Sequence, residues 1–388
     1  MTVEVPSARL GGLYGLYFAI VALSVGWFGP FFQSLGFSAP EIGIAIGVLT
    51  GSKILAPYLW GTLGDLVPNR LRIMQIGIIG STFAAGLLLL DVDFVGLCLV
   101  LALFGIFWNA IIAQFDTLTL EYLGSDHHKY SSIRVWGSVG FILMMLASGW
   151  LFSDVEYRIL PWLIIVGLVI SVLISLTLPR RATTQSEVSE SEGITKRLTN
   201  ASVMLFLLVT ALNQLTHGPM NVFFTLYLQS HGYTAFEAGQ LWAIGVLAEV
   251  VLFFVLPHFI RSIDLRLLLT LSLVFGSMRW VLIGVYPDWP WLLIGLQLLH
   301  AFTFGAIHSV SIEFIRRWFP GKLSGRGMAL YSGFVFGLGG SLGATLSGIT
   351  WETLGGSMTF IVSGILTGFT ALVAWFGLKR AQLGVQSL

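Results

Sequence analysis

The chain alternates apolar runs of helix length with short polar intervals. The runs fall at about 10–34, 39–65, 72–91, 94–123, 131–153, 158–178, 202–229, 235–259, 265–286, 289–318, 326–349 and 352–378. A hydrocarbon core about 30 Å thick is crossed by about 20 residues of helix, and lipid tolerates no unsatisfied backbone, so each run predicts a membrane-spanning helix. Twelve such runs predict an all-α membrane protein of twelve transmembrane helices. The longest polar interval, PRRATTQSEVSESEGITKRLTN (179–200), is rich in Ser, Thr and Glu and lacks apolar periodicity. It reads as a solvated linker between an N-terminal six-helix bundle (1–178) and a C-terminal one (201–388).

The two halves repeat each other. QSLGFSAPEIG (33–43) aligns without a gap onto QSHGYTAFEAG (229–239), with six identities in eleven positions. The same offset sets Lys53 opposite Glu249, and an offset of 192 sets Asp116 opposite His308 and Glu121 opposite Glu313. Duplicated six-helix halves, here two pseudo-symmetric bundles, predict a transporter with its site between them. Arg70, Arg72, Lys129, Arg180, Arg181, Lys196, Arg197, Arg261, Arg266, Arg316, Arg317, Lys322, Lys379 and Arg380 all fall in alternate loops or the C-terminus, against Arg158 alone on the other side. By the positive-inside rule both termini are expected in the cytoplasm, with the chain in a bacterial cytoplasmic membrane. The first apolar segment lacks a small-residue cleavage pattern and is expected to be a retained span.

Composition agrees: 56% of residues are hydrophobic and 10% charged, too few charges to cover a soluble surface. A net charge of +1 makes nucleic acid an unexpected partner, and membrane lipid is the expected surroundings. Cys98, the single cysteine, lies in an apolar run and reads as a packing residue.

Ionisable groups inside spans cost about 2.5–3.5 kcal/mol each on insertion scales, so they face a cavity and pair. Lys53, Glu249 and Arg279 all lie near the middle of their spans. Glu249 and Arg279 stand on consecutive antiparallel helices and are expected to meet at one level. Asp116 and Arg134 are expected to pair across a short loop. Each pair also reads as a static bridge fixing helix register. His300 and His308, eight residues apart, fall on roughly one helical face, while Glu313 reads either as part of the pathway or as a helix-end partner of Arg316 and Arg317. His217 and Asn221 lie one turn apart in span seven, where Gly218 and Pro219 predict an interruption. The glycine-rich stretch 337–348 reads as helix packing rather than a phosphate loop.

The loop after span two, GTLGDLVPNRLR (61–72), resembles the signature between the second and third helices of the major facilitator superfamily, and with it the expected architecture becomes the major facilitator fold. The resemblance implies a gating motif of Gly61, Asp65 and Arg70: Gly61 permits close helix approach and Asp65 pairs with a basic residue or helix end. KYSSIRVWGSVGF (129–141), GYTAFEAGQLWAIGVLAEVVLFF (232–254) and LQLLHAFTFGAIH (296–308) look like the phenylpropionate permease family. More distantly the arrangement is similar to lactose permease. That similarity implies substrate binding by Asp116 and Arg134 and proton coupling by Glu249, Arg279 and His300. The sequence departs from that pattern at Thr303, where an acid would fall, and at Gln297, where a lysine would fall.

The expected function is proton-coupled import of a small organic anion, an aromatic carboxylate such as 3-phenylpropionate, by alternating access. Arg134 is the expected carboxylate anchor, because a guanidinium offers a bidentate fork; Lys53 supports it and Asp116 holds it when the site is empty. His217 and Asn221 complete the substrate set, and Tyr17, Trp27 and Phe224 are candidates to pack a ring. Glu249 is expected to carry the proton, with Arg279, His300 and His308 assisting. A proton-coupled nucleoside or sugar symporter shares this architecture, and a polytopic membrane enzyme is a remote alternative, against which stands the lack of an HExxH or nucleophile motif. No cofactor or metal is implied, no P-loop is present, and a monomer is expected.

Overall fold

A computed structural model of the chain describes residues 5–66, 69–179, 200–258, 260 and 262–378, apart from the side chains at 64–66, 127 and 322. Among the described residues every regular element is helical. The twelve helices are α1 (Ser7–Ser34), α2 (Ala39–Leu66), α3 (Arg70–Leu87), α4 (Phe94–Leu123), α5 (Tyr130–Leu151), α6 (Leu160–Leu176), α7 (Ala201–Ser230), α8 (Ala235–Val255), α9 (Leu265–Val285), α10 (Pro290–Trp318), α11 (Ser324–Leu354) and α12 (Gly356–Gly377). Eleven are long and apolar enough to cross a membrane; α3, 18 residues opening on Arg70 and Arg72, completes the set. The expected linker, 179–200, lies outside the described residues except at its two ends.

The predicted interruption of α7 is present: the helix breaks at His217 between Thr216 and Gly218. Pro219 has no N–H to donate into the ladder, and Gly218 packs directly on the backbone of Gly343 in α11. The largest boundary difference is at the end of α11. α11 continues to Leu354 rather than 349, and stops where Gly355 turns with φ +80°.

α1 to α6 pack among themselves through α1 with α5 and α6, α4 with α2 and α3, and α3 with α6; in the second half α9 and α7 pack on α12, and α8 on α10. The halves meet through α2 with α11, α5 with α8, and α1 with α7. These contacts concentrate toward the face opposite the termini. There Gly43 lies against Ala344 and Gly348, Gly239 against Met145 and Gly149, and Gly29 against the carbonyl of Val222, so close that a Cβ at any of the three would collide with backbone. Lipid supplies no hydrophobic drive between helices, so small residues that admit backbone contact hold such interfaces.

The internal repeat has a structural meaning on this face. Gly36 and Gly232 take φ +92° and +83°, which an L side chain rarely adopts, and turn the chain into α2 and α8. Ser38 and Thr234 then each donate, through backbone N–H and hydroxyl, to the carboxylate of Glu41 or Glu237 at the two helix starts, and at Thr234 the Glu237 N–H bonds back to complete a capping box. Gly43 and Gly239 follow as the contact points between halves. The retained residues thus build two equivalent turns and two equivalent seams.

The expectation that Gly61 admits a close helix neighbour is not met, since a Cβ there would point into open space. Asp65 lies in the last turn of α2, with its side chain outside the described residues. Arg70 donates from Nε to Glu121 at 3.0 Å and from Nη1 to Gln114 at 3.2 Å, tying α3 to α4.

A side-chain hydrogen bond also joins the halves, from Gln229 of α7 to the Tyr157 hydroxyl before α6. Replacing Gln229 by Leu together with Tyr157 by Phe is expected to shift this face toward its open form by about two- to tenfold, the worth of one neutral hydrogen bond. Spin labels at Leu35 and Gln240, in a chain with Cys98 replaced by Ser, would read the shift as a growing long-distance population. An unchanged distribution would assign closure to the glycine seams alone.

Candidate functional site

Two stripes of α10 organise the middle of the C-terminal half. Gln297, His300 and Thr303 recur at intervals of three, while His300, Phe304 and His308 recur at four, so His300 belongs to both. From Ala301 to Ala306 the helix widens to a π-helical turn, a distortion frequent at functional sites, and α11 does the same from Ser332 to Gly339.

The first stripe grips Arg279 of α9, which is 0% exposed. Its Nη2 donates to Gln297 Oε1 at 2.8 Å, and its Nη1 to Thr303 Oγ1 at 3.0 Å and to His300 Nδ1 at 3.2 Å. The guanidinium also stands 4.5 Å from the Trp280 ring centre. A guanidinium has only donors, so His300 Nδ1 must accept and its proton sits on Nε2. That Nε2 faces Glu249 Oε2 of α8 at 3.5 Å. The expected direct pair of Glu249 and Arg279 is therefore corrected: the widened turn places the imidazole between acid and base, giving a relay from Arg279 through His300 to Glu249. The Gln297 and Thr303 departures from the lactose permease pattern are the side chains that hold the arginine.

The second stripe is a ladder. The His300 and Phe304 rings stack at 5.5 Å and 7°, and those of Phe304 and His308 at 6.1 Å and 11°. Phe336 of α11 meets Phe304 and His308, and the Lys53 ammonium of α2 reaches across to 5.9 Å from its ring centre. His217 is buried beneath the ladder: its Nδ1 bonds the carbonyl of Asn213 at 2.7 Å, and its ring meets Trp280 and Phe304 edge-on. Asn221 is partly buried beside Val222, next to the seam with Gly29.

In the N-terminal half the expected pairing of Asp116 with Arg134 does not form. Asp116 Oδ1 instead accepts from the hydroxyls of Tyr14 at 2.6 Å and Tyr130 at 2.9 Å. These phenols satisfy the carboxylate before the arginine reaches it. Arg134 lies over the Phe18 ring at 4.1 Å and the Tyr14 ring at 5.4 Å, partly exposed and without an acid partner among the described residues. Stacking on aromatic faces stabilises a cation by about 0.5–2 kcal/mol while leaving its in-plane donors free.

Three further expectations resolve plainly. Glu313 bonds Arg316 and Arg317 within its own helix, which leaves it a helix-end residue. Trp27 and Phe224 are buried inside their bundles, Trp27 donating to Ser148 and Phe224 packing on Trp242 and Phe360, so neither faces the site. Tyr17 stacks on Trp108 at 4.3 Å inside the first half. Sequence reasoning passed over Tyr14, Tyr130, Phe18 and Phe304. The spacing of Tyr14 and Phe18, one turn apart in α1, was the available signal for the shelf beneath Arg134.

Pseudo-symmetric helical halves with charged groups held at mid-span between them define a membrane transporter, not an enzyme. The chain belongs to the family described as the MFS_1 like family, whose model matches residues 7–362, and is a member of the major facilitator superfamily. It is 24% identical over 358 residues, 90% of this chain and 92% of the other, to a protein of Escherichia coli (strain K12) named "Probable 3-phenylpropionic acid transporter". It is 21% identical over 348 residues to the maltose permease of Geobacillus stearothermophilus, covering 89% of this chain and 87% of that one. Its fold matches the crystal structure of the nucleoside transporter NupG with a TM-score of 0.81 at 17% identity, covering 98% of this chain and 99% of that one.

Replacing Gln297 by Leu removes a charge-assisted hydrogen bond from a buried cation. A loss of about 1.5–3 kcal/mol is expected, seen as a drop of several degrees in unfolding temperature in detergent. Gln297→Glu, which sets a carboxylate beside Arg279, is expected to raise it; no change in either variant would show that Thr303 and His300 suffice.

Proposed function

We propose that the chain imports a small organic anion, of the aromatic carboxylate class, together with a proton. The observation that carries this reading is Arg134, a partly exposed guanidinium on an aromatic shelf with no acid partner among the described residues, opposite the relay that links Arg279 to Glu249. A carboxylate supplies what Arg134 lacks, and Lys53 adds a second cation beside an aromatic ring.

Coupling follows from charge conservation in a low-dielectric site. With Glu249 ionised, its charge compensates Arg279 through His300. When Glu249 takes a proton the relay loses its anion, and an arriving carboxylate restores the balance. Proton and anion then load together at little electrostatic cost, whereas either alone leaves an uncompensated buried charge. The halves rock about this level, with the seams at Gly43 and Gly239 closing the face opposite the termini. In this reading that face is periplasmic, the termini are cytoplasmic, and one chain is the working unit. The amides of Asn213 and Gln214 beside the ladder favour the second reading, a nucleoside or sugar symporter.

Labelled 3-phenylpropionate supplied to proteoliposomes with an inward proton gradient tests the proposal. Saturable uptake is expected to collapse with a protonophore and to fall at least tenfold in Arg134→Ala. Glu249→Gln is expected to lose accumulation while still supporting counterflow, and Gln297→Glu to accumulate poorly because its Arg279 is compensated permanently. Equal loss of accumulation and counterflow in Glu249→Gln would make the relay a static bridge. Competition by nucleosides, with no uptake of the acid, would select the second reading.

A further inference from the structure

A small recess, with room for about one water-sized group, opens between α7, α10 and α11. Phe304, His308, Tyr331 and Phe336 wall it with rings, and Asn213 and Gln214 of α7 close its end. Two polar atoms that line it have no hydrogen-bond partner among the described residues: Oδ1 of Asn213, a residue 5% exposed, and Nδ1 of His308. The neighbouring hydroxyl of Thr210 is already used, bonding back to the Phe206 carbonyl at 2.9 Å, so it is not what the Asn213 amide awaits. Buried polar groups in native structures are almost always satisfied, and an unsatisfied pair in a cavity lined by rings calls for a ligand atom or a water that a ligand displaces.

We propose that this recess is a hydroxyl-recognising subsite, and that the transported anion is a phenolic carboxylate whose ring hydroxyl lies at the end away from the acid. The assignment rests on the aromatic-anion reading above and deepens it. The Lys53 ammonium stands 5.9 Å from the Phe336 ring centre, on the side of the N-terminal half, so a carboxylate drawn to the cations there lays its ring along Phe336 and Phe304 and brings a hydroxyl at the far end of that ring to the recess. A hydroxyl both donates and accepts, and so satisfies the Asn213 amide in either orientation as well as the free nitrogen of His308. A bare phenyl ring displaces the same water without replacing its bonds, leaving the buried amide unpaired. Sites built to bond a hydroxyl discriminate strongly against the analogue that lacks it, whereas apolar pockets discriminate weakly against an added one.

The experiment compares uptake of 3-(4-hydroxyphenyl)propionate and 3-phenylpropionate by the wild-type chain in proteoliposomes, which needs no variant to fold. The hydroxylated acid is expected to show a KM at least tenfold lower, and in Asn213→Leu the ratio of the two KM values is expected to fall toward one. Asn213→Ala and Asn213→Ser, the second keeping a hydrogen-bonding group, provide the same comparison with smaller changes of shape: the ratio should collapse in the first and be partly kept in the second. Uptake of both acids with equal KM by the wild type would overturn the subsite and leave the aromatic-anion reading standing. A wild-type preference that survives both Asn213→Leu and Asn213→Ala would also overturn it. Uptake of neither acid by folded protein would remove both readings together.

Discussion

A guanidinium at the centre of a bilayer must be compensated inside the protein, and the C-terminal half is arranged around that demand. Arg279 is wholly buried, and the side chains that touch it are neutral. The anion that answers it, Glu249, does so through an imidazole whose two nitrogens are committed in opposite senses. This geometry requires α10 to present three residues to α9 on one stripe and three rings to the cavity on the next. The π-helical turn and the shared His300 meet that requirement. A direct ion pair would be stronger and less responsive, since a carboxylate held by the arginine itself gives up its partnership only at high cost.

The frame around this site follows from a different constraint. Between lipid-embedded helices apolar surface gains nothing by association, so the halves adhere only where small residues let backbones touch and where polar groups meet. Both seams descend from one duplicated segment: a turning glycine, a Ser or Thr bonded to the glutamate three residues on, then a contact glycine seven residues after the turn. At the contact glycines of these seams backbone meets backbone, with no side chain of the glycine between them.

The fold was legible because the signal is long-range and redundant. Twenty-residue apolar runs are too long for any other solution, and most helix ends fell within a few residues of those expected; α11 overran because only the backbone reversal at Gly355 stops it, and Trp351 to Thr353 carry no stop of their own. The site was legible as a list of residues and not as a set of contacts. Depth along a helix follows from counting, so Glu249 and Arg279 were expected at one level, and both meet His300. Which of them touch depends on rotation about each axis, and a single π-helical turn in α10 was enough to insert His300 between the other two. In the first half the same ambiguity hid the tyrosines, because phenols in apolar spans look like belt or packing residues until they are seen to reach Asp116.

Asymmetry laid over a symmetric frame gives the two halves separate tasks. In the first, the acid at Asp116 is satisfied by two phenols, which leaves the cation at Arg134 without a partner among the described residues and open to an arriving one. In the second, the cation at Arg279 is satisfied by an amide, a hydroxyl and an imidazole, and Glu249 meets it only through that imidazole. The repeat positions show the inversion directly, since Lys53 stands where Glu249 stands in the other half and Asp116 where His308 stands. A site with a fixed vacancy for an anion on one side and a variable anion on the other keeps its total charge constant only when both cargoes are present or both are absent. In the proposed symport, that condition, rather than any direct bond between proton and substrate, is what couples their movement.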